Sequence, residues 1–214
     1  MTKSFKYKAF ISYSHQDKKW GDWLHKKLET FQIPKPIIGN KSEFYDKIPS
    51  RLFPIFRDRE ELATSSELGK QIKQALELSS HLIVICSPRA ANSQWVNQEI
   101  LEFKRMGKAN RILCLIVDGE PYAGEKPELR MEECFPQAIK FKIGSDGNLS
   151  TSPTEPIAGD AREEKDGKEN GLLKLIAGLL GVGFDQLKQR ELVRKRNRMI
   201  VLNSVLFVLL AIVS

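Results

Sequence analysis

Two short uninterrupted apolar runs constrain this chain more than any other feature: His81-Leu82-Ile83-Val84-Ile85-Cys86 and Arg111-Ile112-Leu113-Cys114-Leu115-Ile116-Val117. A strand with one wet face alternates polar and apolar residues. These runs do not, so each reads as a strand covered on both sides, the pattern of a parallel sheet between helical layers. The intervening sequence supplies the helix. Ser93 stands as an N-cap, and Trp95, Val96, Ile100 and Phe103 follow at helical spacing.

The same alternation extends towards the N-terminus. Tyr7 to Ser12 reads as a buried strand whose tip opens into a small polar loop, and Asp17 to Thr30 places Trp20, Trp23, Leu24 and Leu28 on one helix face. Leu52 to Phe56 reads as a further strand, limited to an edge or a very short length because Pro54 cannot donate to a ladder. Ser66 is placed to cap a helix carrying Leu68, Ile72, Ala75 and Leu76. A weaker strand is expected near Ala138 to Ile143. The resulting class is α/β, flavodoxin-like, with a five-stranded parallel sheet and helices on both faces.

Residues 1–143 are therefore expected to form the domain, and 144–171, rich in Gly, Ser, Pro, Asp and Lys, a flexible connection. Residues 172–198 read as a helical extension that turns basic. The net charge of +7 is local, since Lys188, Arg190, Arg194, Lys195, Arg196 and Arg198 against Glu191 contribute +5 and leave +2 for residues 1–187. Residues 199–214 are apolar apart from Asn203 and Ser204 at 203–204 and Ser214, but fall short of the about 20 residues a span needs. Of a cut span, a short tail anchor and a buried helix, a transmembrane helix cut short is the expected reading. A basic flank favours the membrane reading, with residues 1–198 as the cytoplasmic part of a membrane-anchored protein, and disfavours nucleic acid as a partner. Cys86, Cys114 and Cys134 lack paired spacing, and His15, His25 and His81 lack metal-ligand spacing, so neither a disulfide framework nor a metal site is expected.

In an open parallel sheet, ligands bind at the carboxyl ends of the strands. The loops there carry no GxGxxG turn after the first strand, no GxxxxGK[ST] phosphate loop and no GxSxG elbow. They do carry Phe10-Ile11-Ser12-Tyr13-Ser14, then Phe56-Arg57-Asp58 leading to Gly69, then Ser93-Gln94-Trp95-Val96-Asn97-Gln98-Glu99. In this order and context, residues 7–143 resemble the TIR (Toll/interleukin-1 receptor) family, and the Trp95 to Glu99 spacing resembles the motif that carries the catalytic glutamate of NAD+-cleaving members.

That resemblance implies NAD+ as a substrate rather than a cofactor, Glu99 as the catalytic residue, and Phe10, Ser12, Tyr13, Ser14, Arg57, Asp58 and Trp95 around the substrate. It further implies assembly with other TIR domains and a role in defence or cell-death signalling, with linear or cyclic product. A non-enzymatic adaptor, acting only through TIR–TIR contacts, is the alternative. On residue type alone, a solvated helix face suits Glu99 better than a catalytic role, Trp95 suits a core anchor as well as a stacking platform, and residues 57–61 suit an exposed loop.

Overall fold

A computed structural model describes residues 5–57, 68–125 and 131–213. Five parallel strands form the central sheet: β1 (Tyr7–Ser12), β2 (Ile55–Arg57), β3 (Ser79–Cys86), β4 (Ile112–Ile116) and β7 (Ile157–Asp160), in the order β2-β1-β3-β4-β7. The helices are α1 (Lys18–Thr30), α2 (Leu68–Leu78), α3 (Pro88–Ala91), α4 (Gln94–Arg105), α5 (Gln137–Lys140), α6 (Gly167–Leu180) and α7 (Phe184–Val213). The α/β flavodoxin-like expectation holds, and β2, which begins directly after Pro54, is short and forms one edge.

Period-two alternation splits the interior into two cores, one on each face of the sheet. Ile11, Tyr13, Ile83, Ile85, Leu113 and Leu115 face α1 and α6. Phe10, Leu82, Val84, Cys86, Cys114 and Ile116 face α2, α4 and α5. All eight residues of β3 are buried, as expected of the strand in the middle of the order.

Three expectations are corrected or fall outside the described residues. The segment 138–143 does not supply the fifth parallel strand: Gln137–Lys140 is helical, and β5 (Phe141–Ile143) pairs antiparallel with β6 (Leu149–Pro153) in a separate two-stranded sheet. The fifth strand, β7, comes from the stretch read as a connection. It has little hydrophobic signal because it is built for close approach: a Cβ on Gly159 would stand 2.5 Å from the Gly171 carbonyl oxygen in α6. Ser66, proposed as a cap, lies outside the described residues.

The C-terminal expectation of a membrane segment finds no support, since no helix among the described residues is long and apolar enough to cross a membrane. One face of the first half of α7 is instead tied to the domain. Leu187 is fully buried, Arg194 donates to the Gln32 carbonyl at 2.5 Å, and Lys195 pairs with Glu169 of α6 at 2.7 Å.

Candidate active site at the tip of the first strand

Helix α4 starts where Ser93 Oγ accepts from the Val96 amide at 3.3 Å. That start fixes its rotation, so Val96, Glu99, Ile100, Phe103 and Lys104 turn inward. Glu99 is thus a carboxylate in a row otherwise filled mainly by apolar side chains, with only 4% of its surface exposed. Ser12, the last residue of β1, shares the sheet face of Phe10 by strand alternation and so points towards α4. Its Oγ donates to Glu99 Oε2 at 2.5 Å, in a fully buried position. The pair stands beside β1 and β3, where the strand order reverses direction and doubly wound sheets open their ligand crevice.

From Glu99 a cleft of about 240 Å³ runs between α2 and α4, bounded by Gly69, Ile72, Leu76, Trp95 and Gln98. A Cβ on Gly69 would meet no atom within 4 Å, so this wall stands back from its neighbours. Trp95 is 57% exposed and lies one turn before Glu99, which puts an aromatic plane and a carboxylate on one cleft. The volume is below the roughly 300–1,000 Å³ of pockets that hold whole ligands, and suits one ring and sugar of a larger molecule. Lys73 and Glu102, 3.5 Å apart, line the same groove.

The other residues expected at the site separate. Phe10 is fully buried and stacks on Phe56 with ring centroids 5.1 Å apart, and Tyr13 lies against Gly21 of α1, where an added Cβ would stand 3.1 Å from the ring. Both aromatics are core residues, so neither is presented for stacking on a ligand. Ser14 is buried, and its carbonyl accepts from the Asp17 amide at 2.7 Å. Arg57 falls two residues after Ile55, on the α1 side of the sheet, and pairs with Asp22 there, so it does not join the Glu99 cleft. Asp58 lies outside the described residues. Of the expected set, Ser12, Trp95 and Glu99 come together.

A second cluster at the strand tips was not anticipated. Asp17 is 2% exposed and accepts from Ser87 Oγ at 2.6 Å and from Arg89 Nε at 2.7 Å, while Arg89 Nη2 reaches Asp118 at 3.2 Å. These residues tie together the loops after β1, β3 and β4. The local signal was Ser87-Pro88, an N-cap followed by a first-turn proline, and Ser87 Oγ does accept from the Ala90 amide at 3.1 Å. Asp17 gave no signal of its long-range partners. Among the described residues no group of three or more His, Cys, Asp or Glu side chains could hold a metal ion.

A family model described as TIR domain matches residues 9–143. The NAD(+) hydrolase ApTIR of Actinoplanes sp. is 28% identical over 204 residues, covering 89% of this chain. The chain spans 25% of that relative's length. A solved structure of the activated Roq1 resistosome directly recognizing the pathogen effector XopQ, in its TIR domains, superposes with a TM-score of 0.34 at 17% identity, covering 50% of this chain and 55% of that one.

Proposed function

From the premise that this chain belongs to the TIR domain family, we propose that it is an NAD+ hydrolase with Glu99 as the catalytic residue. The observation that carries the reading is the buried Ser12–Glu99 hydrogen bond at the strand tip, beside a cleft with an exposed Trp95. Similarity to an NAD(+) hydrolase supports the same substrate.

The chemistry follows from what breaks. Nicotinamide leaves NAD+ as a neutral molecule, so the departing group needs no proton from an acid, while the ribosyl carbon gains positive character. A fixed carboxylate stabilises that charge in a site shielded from water. Ser12 holds one oxygen of Glu99, which orients the carboxylate, and Trp95 supplies a face for a flat ring. Water then adds to the ribosyl carbon and loses a proton, giving ADP-ribose, nicotinamide and H+. Attack by the adenine ring in place of water would give a cyclic product from the same intermediate.

The proposal includes activation by clustering of several TIR domains in a defence or cell-death role, carried over from the family resemblance. A cytoplasmic location is part of it. Cys86, Cys114 and Cys134 are free and buried, and burial pushes the Cys86 and Cys134 thiols up, which suits reduced core cysteines.

The test is incubation with NAD+ of dilute and artificially clustered protein, reading nicotinamide by chromatography for wild type and Glu99→Ala. Release by clustered wild type and not by Glu99→Ala is expected. Absence of release in every clustering state would leave a TIR interaction module without this activity.

A further inference from the structure

The amino-terminal end of the sheet holds a second cavity, of about 350 Å³, between the last turn of α4 and the starts of β4 and β7. Its walls are mainly apolar, with Ile112, Ile139, Ile143, Pro156 and Ile157 among them, and Lys104 reaches it from the inward face of α4. Ile157 is 58% exposed, so the wall it forms lies at the surface. We propose that this cavity binds a small apolar monocarboxylate, with the Lys104 ammonium as its counter-ion.

Lys104 is 4% exposed, and its Nζ donates to the Phe141 carbonyl at 2.6 Å. An ammonium carries three donors, and among the described residues no carboxylate lies within ion-pair distance of this one. A buried cation compensated by one neutral carbonyl is costly, and an entering anion removes that cost. Burial lowers the amine from 10.5 to about 8, as expected for a charge short of compensation.

The other charged or titratable groups around it are Lys142 of β5, Glu155 after β6, and the Cys114 thiol of β4. Lys142 and Glu155 offset each other, which leaves one net positive charge. A single carboxylate matches it; a doubly charged phosphate would bring a second charge against apolar walls. The volume lies at the lower end of small-molecule sites, so the apolar body must be small. Nothing here depends on the NAD+ reading, since the cavity lies at the opposite end of the strands from Ser12.

The probes are hexanoate and its uncharged counterpart hexan-1-ol, titrated into the full chain by ligand-observed NMR. Hexanoate is expected to bind at about pH 6.5 and roughly tenfold more weakly at about pH 9.5, because the amine loses its proton between them. Lys104→Met should abolish both that pH dependence and the preference over hexan-1-ol. Ile157→Trp, at the exposed wall, should block binding while leaving Lys104 and the circular dichroism spectrum unchanged. Equal binding of the two probes by wild type, a pH dependence or a preference for hexanoate that persists in a folded Lys104→Met protein, hexanoate binding that persists in a folded Ile157→Trp protein, or no binding to wild type would each overturn the proposal.

Discussion

Among the described residues, and apart from Glu191 on α7, the two ends of the sheet bury opposite kinds of acid and base. At the carboxyl ends of the strands lie two acids, Asp17 and Glu99; towards the amino ends lie three bases, His81, Lys104 and Lys108. Helix direction contributes at the termini, where Asp17 stands as the N-cap of α1 and Lys104 lies in the last turn of α4. Helix α4 begins near the end of β3 and finishes before the start of β4, so its positive pole faces one end of the sheet and its negative pole the other. The partners differ as well. Lys108 Nζ donates to the carbonyls of Leu76, Glu77 and Ser79, each at 2.9 Å, which fastens the end of α2. Glu99 is held instead by a hydroxyl, whose proton can rotate towards a new acceptor. Lys108, bound by three backbone carbonyls, serves the frame, whereas Glu99, bound by a side-chain hydroxyl, can exchange that partner for another.

The largest effect expected from this contrast is on turnover. Glu99→Gln should lower nicotinamide release by about 10²–10⁴-fold while leaving the melting temperature nearly unchanged, since the amide oxygen still accepts from Ser12. A Gln variant that unfolds would instead place Glu99 with the frame and break the contrast. Lys108→Met should cost roughly 3 kcal/mol in urea unfolding through the carbonyls left without their donor. Asp17→Asn, which weakens the bonds to Ser87 and Arg89, should cost about 2 kcal/mol by the same measurement.

A further effect is a pH dependence at His81. Burial, then the charge of Arg111, lowers this imidazole from 6.5 to about 3, so it is neutral in the folded protein. The unfolded chain takes up the proton first. Stability contributed by neutral His81 is therefore complete above about pH 6.5 and declines as pH falls towards 3. Denaturant melts across that window should show a shallower acid limb for His81→Leu than for wild type.

Much of the frame was legible because burial on both faces writes itself into sequence as unbroken branched runs, as in β3 and β4. Strand β7 was not, because Ile157-Ala158-Gly159-Asp160 gains its place through a small residue and a near backbone contact rather than through apolar bulk. At the site, Glu99 and Trp95 were legible as a local spacing. Phe10 and Tyr13 misled, since an aromatic at a strand end looks the same whether it faces a ligand or a core. Asp17 and Ser87 are 70 residues apart in sequence, and no local pattern announces such a pair.

The late arrival of β7 has a practical corollary for anyone shortening the chain. A polypeptide ended at Ile143, where the family match also stops, would lose the strand that pairs with Leu113 to Ile116. The bared flank of β4 would then offer its amides and carbonyls to any neighbouring molecule. Clumping of such a fragment would counterfeit the clustering proposed above, so oligomer measurements belong on protein that retains residues 157–180.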